Sequence, residues 1–146
     1  MISANLINSI KLGEGFSATA YRCPTNRLTI GFGRCVDADE PGTGITEAEA
    51  EMLLANDLAR FELAAQRVVG DATWSLLDQV RREALIEMCF NMGPGNLAKF
   101  RLMLSSLAAE DYSAAADEAL SSRWADQVGK RADRIADRIR LGIYAA

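Results

Sequence analysis

The sequence of 146 residues contains no histidine, and this limits the side chains that could catalyse a reaction. Catalytic triads that use imidazole, histidine-ligated zinc and a histidine pH switch are therefore excluded. The three cysteines, Cys23, Cys35 and Cys89, have no CxxC spacing and cannot complete a typical four-ligand zinc site. We expect no metal and no cofactor, so catalysis must depend on carboxylates, thiols, hydroxyls, Lys, Arg or Tyr.

Glu14 is the strongest candidate for a general acid. It lies between Gly13 and Gly15, where an apolar helical pattern stops, so the backbone can turn sharply while the side chain faces whatever the following hairpin encloses. Burial at such a position would hold a carboxylic acid protonated until its proton is needed. The alternative is an ordinary exposed glutamate at the end of a helix.

Cys23 and Thr29 are candidates for the group that handles water. Cys23 follows Glu14 by nine residues, and Thr29 follows Cys23 by six, inside the run LTIGFG at residues 28–33. On a strand, Thr29 and Gly31 share one face, and the glycines of this run would let a ligand approach the backbone. The alternatives are simple strand propensity for Thr29 and a small buried residue at Cys23.

The elements that position these residues follow from the spacing of apolar and turn-forming residues. A first helix is predicted to end at Glu14, and a hairpin between residues 16 and 34 turns at Pro24-Thr25-Asn26. Residues 37–45 read as a surface loop, and Thr46 and Glu49 form a capping box that starts a helix running to about Val69. Further helices are predicted at 74–92, 96–108, 112–121 and 129–141. The class is α+β, mostly helical with one small hairpin.

The charge distribution disfavours nucleic acid as a partner. The formal net charge is −4, whereas non-specific nucleic-acid binding usually needs a strongly basic surface. Residues 121–146 are nevertheless basic, with six Lys and Arg against three Asp. These cations form either a solvated helix face or a set of which one or two reach a cleft. No run of 18 apolar residues and no basic leader is present, so we expect no stable membrane insertion.

Several segments together resemble one family. Residues 11–16 (KLGEGF), 20–23 (AYRC) and 28–33 (LTIGFG) are similar to the active-site segment of the phage-type lysozymes, glycoside hydrolase family 24, found as bacteriophage endolysins. In that family Glu is followed nine residues later by Asp, or sometimes Cys, and Thr follows six residues further. Residues 80–93 resemble the family's buried core helix, and residues 123–125 with 129–134 resemble its C-terminal segment. The similarity covers nearly the whole chain.

The resemblance implies a lysozyme-like fold and a muramidase activity. Residues 1–146 would form a single catalytic domain with two lobes, a small N-terminal hairpin lobe at about 13–60 and a larger helical lobe at about 61–146 that includes the first helix. Bacterial peptidoglycan would bind in an open cleft between the lobes. The β-1,4 bond between N-acetylmuramic acid and N-acetylglucosamine would be hydrolysed there.

The resemblance also implies roles for individual residues. Glu14 would donate a proton to the glycosidic oxygen, Cys23 would occupy the position of the usual Asp, and Thr29 would hold the attacking water. Substrate-binding or supporting roles would fall to Tyr21, Gly31, Arg34, Phe90 and Arg131. Arg131 would lie near the catalytic acid, and Arg34 replaces a histidine that is common in the family.

The thiol leaves two mechanisms open. A Cys23 thiolate could act as a base on water, giving inversion as in the family, or as a nucleophile, giving retention. A catalytically impaired peptidoglycan-binding module of the same fold is the alternative function, and a purely structural helical protein is a weaker one. A regulatory disulfide between Cys23 and Cys35 is a further hypothesis, because the two residues flank one hairpin; three free thiols are the alternative.

The expected partner is the glycan strand of peptidoglycan, and the protein is expected to be a monomer. An endolysin without a leader or anchor would accumulate in the host cytoplasm. It would reach the periplasm and cell wall only after a holin-like protein permeabilised the membrane.

Overall fold

The N-terminal part of the chain combines one helix with a small sheet. The computed structural model describes residues 2–39 and 41–145, and the chain divides into two compact units, Met1–Leu53 and Leu54–Ala146. In the first unit, helix α1 (Ala4–Glu14) is followed by strands β1 (Ser17–Arg22), β2 (Leu28–Gly31) and β3 (Arg34–Cys35). The predicted lobe boundary near residue 60 and the assignment of the first helix to the helical lobe stay predictions.

The sheet is antiparallel, and β2 lies between β1 and β3. The predicted hairpin turn is confirmed, since the Asn26 N–H donates to the Cys23 carbonyl oxygen at 2.8 Å. Strand β3 was not predicted, because two residues are too short to show an alternating pattern. It pairs with β2 through Thr29 opposite Cys35 and Ile30 opposite Arg34.

A loop and a capped helix follow the sheet. Residues 37–39 and 41–45 contain no helix or strand, as predicted, and Glu40 of the predicted loop lies outside the described residues. Helix α2 (Glu47–Val69) then begins in the first unit and continues into the second. Its predicted capping box is confirmed: the Thr46 N–H donates to Glu49 Oε2 at 2.8 Å, and the Glu49 N–H donates to Thr46 Oγ1 at 3.2 Å.

The described residues of the second unit form helices joined by short turns, and no strand. After α2 come seven more helices: α3 (Asp71–Leu76), α4 (Gln79–Met92), α5 (Pro94–Leu97), α6 (Arg101–Ala108), α7 (Tyr112–Leu120), α8 (Arg123–Val128) and α9 (Lys130–Leu141). The α+β class, mostly helical with a small antiparallel sheet near the N-terminus, is confirmed. Helix α8 was not predicted, and the predicted helix at 96–108 divides into α5 and α6 around Phe100.

The single helix predicted over 74–92 is wrong. Leu77 adopts an extended conformation (φ −79°, ψ 136°), and Asp78 caps the next helix by accepting a hydrogen bond from the Arg81 N–H at 3.0 Å. The periodicity continues across this break because Leu77 still points into the core, where only 3% of its surface is exposed. The hydrophobic spacing therefore predicted correctly which side chains are buried, but it did not reveal that the helix is interrupted.

The core of the second unit lies around α4 and α9. Its largest fully buried side chains are Leu85, Met88, Cys89, Leu97, Met103, Leu107, Ile135 and Ile139. Trp124 closes one side: its indole N–H donates to Asn91 Oδ1 at 2.7 Å, and its ring meets Phe100 edge-on at 6.3 Å. The buried indole thus keeps a hydrogen-bond partner, as aromatic residues with a polar atom require.

Arg81 connects the start of α4 to the end of α9. Its Nε donates to the Ile139 carbonyl at 2.8 Å and its Nη2 to the Arg140 carbonyl at 3.0 Å, so it satisfies carbonyl groups that a helix C-terminus leaves free. The same guanidinium pairs with Asp78 and lies 3.8 Å from the centre of the Tyr112 ring. Asp78 therefore stabilises two helix ends. It caps the start of α4 directly, and it pairs with Arg81, which donates to the last carbonyls of α9.

We expect Asp78→Ala to lower the free energy of unfolding by about 1–2 kcal/mol at pH 7, because it removes the α4 cap and the partner of Arg81. Burial of Asp78 opposes its charge, but hydrogen bonds from Arg81 outweigh burial and lower the pKa of Asp78. A carboxyl group whose pKa is lower in the folded state stabilises the protein above its unfolded pKa of about 3.9, and this contribution is lost as the pH falls. Urea denaturation at pH 7 and pH 3 would therefore show a smaller difference between wild type and variant at pH 3.

Asp78→Asn is the matched control for this prediction, because asparagine also caps helices but carries no charge. It should lose less stability than Asp78→Ala at pH 7. Equal losses in the two variants would mean that capping contributes nothing measurable.

Candidate functional site

Glu14 is placed by the end of α1. The helix stops there because Gly15 has a positive φ of 72°, and its N–H donates back to the Lys11 carbonyl at 2.9 Å. The predicted helix end is thus confirmed. Glu14 itself is exposed, so the expectation that the protein buries this carboxyl is wrong.

The Glu14 carboxyl lies directly against the turn between β2 and β3. A Cβ atom on Gly33 would be 2.8 Å from Glu14 Oε2 and 2.9 Å from its carboxyl carbon, closer than side chains approach one another. Gly33 also has a positive φ of 78°. The sequence indicated that a ligand would approach the backbone at this glycine; the structure shows that the group that does so is the Glu14 carboxyl.

Cys23 lies at the other end of β2, beside the hairpin turn. Its Sγ is 3.0 Å from Thr25 Oγ1, and its backbone N–H donates to the Arg27 carbonyl at 3.0 Å. A hydrogen bond from the Thr25 hydroxyl, followed by one from the Arg27 backbone, lowers the pKa of the Cys23 thiol to about 7. These donors stabilise the thiolate, which is the reactive form of a cysteine.

Thr29 and Tyr21 face each other across the β1–β2 pair, and Ser17 faces Gly31. Thr29 is buried, with 5% of its surface exposed, and its hydroxyl donates to the Arg27 carbonyl at 3.0 Å. The Arg27 carbonyl thus accepts from both the Thr29 hydroxyl and the Cys23 N–H. The predicted role of Thr29 in holding water stays a prediction.

The predicted disulfide between Cys23 and Cys35 conflicts with the sheet topology. Cys23 lies on the β1 side of β2, where its N–H donates to the Arg27 carbonyl. Cys35 belongs to β3 and pairs with Thr29 from the opposite side of β2. Strands lie about 4.8 Å apart, so the two Cα atoms are separated by roughly 9–10 Å or more. A disulfide needs less than about 7 Å. All three cysteines are free in the structure, and the regulatory disulfide stays a hypothesis against which this strand order argues.

Arg34 connects β3 to the start of α2. Its Nη2 donates to Glu49 Oε1 at 2.5 Å, and its Nη1 donates to the Gly44 carbonyl at 3.0 Å. The guanidinium therefore supports the loop before α2. A direct role of Arg34 in binding a ligand stays a prediction.

Phe90 and Arg131, the other two predicted site residues, belong to the second unit. The Phe90 ring meets Phe61 edge-on at 5.3 Å. The Arg131 guanidinium donates from Nε to Glu87 Oε1 at 2.9 Å. The predicted position of Arg131 near Glu14 stays a prediction.

Sequence reasoning missed the charged cluster to which Arg131 belongs. Glu87 also pairs with Arg138, which is 7% exposed and donates to the Tyr144 hydroxyl at 3.3 Å. Burial opposes the charge of Glu87, but the hydrogen bonds and charges of Arg138 and Arg131 outweigh burial and lower its pKa. Arg131 and Arg138 are seven residues apart and so lie on one face of α9, and this spacing could have revealed the cluster.

The cluster lies beside a cavity of about 580 Å³ whose walls come from α2, α4, α9 and the C-terminal residues. Tyr144 reaches across from the chain end, and its hydroxyl donates to Glu83 Oε2 at 2.5 Å. Among the described residues, no group of three or more cysteine, aspartate or glutamate side chains is arranged to hold a metal ion. None of the helices formed by those residues combines the length and apolar character that a membrane-spanning segment needs.

Comparison with known proteins gives consistent matches. Residues 11–140 match the family described as phage lysozyme. The probable T4-type lysozyme 1 of Dictyostelium discoideum is 31% identical over 106 residues, which are 70% of this chain and 61% of that protein. The endolysin of Bacillus phage B103 is 35% identical over 132 residues, 88% of this chain and 47% of that protein. The chain thus spans less than two thirds of the length of either relative.

A third relative is matched over more of its own length. The endolysin of Acyrthosiphon pisum secondary endosymbiont phage 1 is 30% identical over 122 residues, which are 84% of this chain and 80% of that protein.

The contacts of Cys23 predict that its thiol titrates near pH 7, well below the ordinary value of about 8.5. In a variant that carries Cys35→Ser and Cys89→Ser, the rate of alkylation by iodoacetamide should rise with pH and reach half of its maximum near pH 7. Thr25→Val should move this midpoint upward, because it removes the hydroxyl that contributes most to the lowered pKa. A wild-type midpoint at or above pH 8.5 would contradict the prediction.

Proposed function

Since this chain belongs to the phage lysozyme family, we propose that it hydrolyses the β-1,4 bond between N-acetylmuramic acid and N-acetylglucosamine in bacterial peptidoglycan. The match covers Glu14, Cys23 and Thr29. The observation that carries the proposal is the approach of the Glu14 carboxyl to Gly33, which fixes a carboxylic acid at one end of the strand that carries Thr29. Cleavage of a glycosidic bond needs such an acid on one side of the bond and a second group on the other.

Glu14 acts as the proton donor. It is exposed at the end of α1, so a glycan can reach it without any movement of the protein backbone. A bound sugar would cover the carboxyl and exclude water from it, which strengthens its interaction with charge that develops on the glycosidic oxygen. The backbone of Gly33 limits the positions open to the carboxyl on the opposite side.

Cys23 handles the attacking water. With its pKa lowered to about 7, the thiol is close to half ionised at neutral pH, whereas an ordinary thiol would be only a few per cent ionised. The thiolate then accepts a proton from water as the water attacks the anomeric carbon. The Thr29 hydroxyl, which donates to the same Arg27 carbonyl as the Cys23 N–H, helps to orient that water.

The sheet supports inversion over retention. Glu14 lies at the turn that ends β2, and Cys23 lies at the turn that precedes it. Glu14 and Cys23 lie beyond opposite ends of β2, whose four residues alone span roughly 10 Å at about 3.3 Å per residue, more than the separation of the two groups in a retaining enzyme. Retaining enzymes place their two groups about 5 Å apart, whereas inverting enzymes leave about 6.5–9.5 Å for a water molecule. We therefore infer that Cys23 acts as a base and forms no covalent adduct.

The remaining site residues have supporting roles. Tyr21 and Gly31 line the sheet beside Thr29, and Arg34 holds the loop before α2. Phe90 and Arg131 are assigned their roles by the family match alone. In the cell, the protein would act on the peptidoglycan wall as a monomer and cause host lysis, after a holin-like protein lets it cross the membrane.

Turbidity clearance of Gram-negative cells stripped of their outer membrane tests this function. Wild type should clear the cells, and Glu14→Gln should slow clearance by about 10²- to 10⁴-fold, because it removes the general acid. Cys23→Ser should slow it by about 10²-fold or more, while Cys23→Asp supplies a carboxylate base and should retain activity. Cys35→Ser is the matched control on the same sheet and should clear cells at the wild-type rate.

The configuration of the first product, followed by NMR, separates the two mechanisms, since inversion of a β-linked sugar yields the α-anomer. Retention would overturn the role of Cys23 as a base. A wild type that binds peptidoglycan strands without cutting them would favour the catalytically impaired binding module instead.

Gly33→Ala should reduce activity without a special loss of stability. The added Cβ occupies the space of the Glu14 carboxyl, which is exposed and can rotate away, so clearance should slow by about 10- to 100-fold. Gly42→Ala is the control, because Gly42 has nearly the same φ, 77° against 78°, and nothing lies within 4 Å of its added Cβ. Both variants should lose about 1 kcal/mol of unfolding free energy from the unfavourable φ, and only Gly33→Ala should lose activity. Full activity in Gly33→Ala would mean that the contact with Glu14 is not required.

A further inference from the structure

Two phenylalanines beside Glu14 are exposed and in contact with each other. Phe16 is 71% exposed and Phe32 is 44% exposed, and their ring centres are 5.5 Å apart with the planes tilted by 48°. Exposed aromatic rings that touch are unusual, because each ring forgoes the burial that stabilises aromatic side chains elsewhere. The rings of Phe61 and Phe100 in the second unit, by contrast, are partly buried against its core.

The pair is held at the acid by the same backbone that places Glu14. Phe16 follows Glu14 by two residues, just after the Gly15 cap, and Phe32 immediately precedes Gly33. Because the Glu14 carboxyl lies against Gly33, both phenylalanines belong to the two short backbone segments that meet at the acid. An apolar surface that adjoins an exposed carboxyl in this way is suited to an uncharged, ring-shaped part of the molecule on which that carboxyl acts.

Based on the proposed function, we infer that Phe16 and Phe32 form a stacking platform for a sugar ring of the peptidoglycan glycan strand. The C–H groups on the face of a pyranose ring are apolar and carry partial positive charge, and they complement the negative face of an aromatic ring. A sugar held there presents its glycosidic oxygen toward the neighbouring carboxyl. Phe16 and Phe32 are therefore substrate-binding residues, distinct from the groups that transfer protons.

Lys11 adds charge complementarity at the edge of the platform. Its Nζ lies 5.3 Å from the centre of the Phe32 ring, one helical turn before Glu14. Peptidoglycan strands carry carboxylates on the stem peptides attached to every second sugar. A cation next to the stacking surface therefore favours a peptidoglycan strand over an uncharged glycan.

Isothermal titration of the Glu14→Gln variant with soluble, uncross-linked glycan strands tests the platform directly, because a variant without the general acid cuts too slowly to consume the strands during the titration. Phe16→Ala and Phe32→Ala, each added to Glu14→Gln, should raise the Kd by roughly 3- to 10-fold. Phe32→Leu keeps an apolar side chain but no ring face, so it should also weaken binding. Met52→Ala removes an apolar side chain from α2 that is 67% exposed, close to the 71% of Phe16, and should leave the Kd unchanged.

Glycan strands with and without their stem peptides are the two probes that test the contribution of Lys11 to binding. Lys11→Gln should weaken binding of strands that keep their stem peptides and leave binding of stripped strands unchanged. Thermal denaturation of each variant should give the wild-type midpoint within a few degrees, since all the altered side chains are at the surface. Equal effects of Phe32→Ala and Met52→Ala, or no binding of either probe by Glu14→Gln, would overturn the platform.

Cell clearance tests hydrolysis, whereas binding of glycan strands tests the platform formed by Phe16 and Phe32. Wild type that clears cells, together with phenylalanine variants that bind glycan normally, would disprove the platform and leave the lysozyme activity in place. Wild type that binds strands through Phe16 and Phe32 but clears no cells would disprove the hydrolytic function and support the platform.

Discussion

The absence of a side chain at residue 33 is the constraint on which the first unit depends. A Cβ there would overlap the Glu14 carboxyl, and the turn between β2 and β3 also requires a positive φ that glycine adopts readily. Glu14 at the end of α1 can therefore contact the turn that follows β2. Two features follow from that contact: the position of the acid and its separation along β2 from the thiol.

The strand β2 separates two chemical environments. At one end, Glu14 is open to solvent and has no hydrogen-bonding partner among the contacts described above, so a bound molecule can reach it. At the other end, Cys23 accepts hydrogen bonds from a hydroxyl and from the backbone, which lower the pKa of its thiol to about 7. Local hydrogen bonds can thus bring a thiol toward the behaviour of a carboxylate at neutral pH, although the ordinary pKa values of these groups differ by more than four units.

The second unit uses arginine side chains to join elements that are distant in sequence. Arg81 on α4 donates to the last carbonyls of α9, and Glu87 on the same helix holds Arg131 and Arg138 of α9. Each guanidinium has several donors in a fixed plane, so one side chain can satisfy a helix end or bridge two groups. Three of the six basic residues in the C-terminal segment therefore have a structural role: Arg131 and Arg138 pair with Glu87, and Arg140 with Asp117.

The sequence by itself determined the features that depend on neighbouring residues. The end of α1 at Glu14, the hairpin turn, the capping box of Thr46 and Glu49 and the buried face of α4 were predictable, because caps, turns and helical spacing involve residues within about four positions of one another. The family resemblance also followed from short motifs. The break at Asp78 was missed since a continuous hydrophobic pattern hides a change of backbone direction.

Only the tertiary structure decided which distant groups meet. Arg131 and Glu87 are 44 residues apart, and no local pattern specifies their pairing. The contact between Glu14 and Gly33, the third strand and the separation of Cys23 from Cys35 likewise depend on how the strands align. The physical reason is that sequence patterns record which side chains are apolar or polar, whereas packing decides which surface each of them faces.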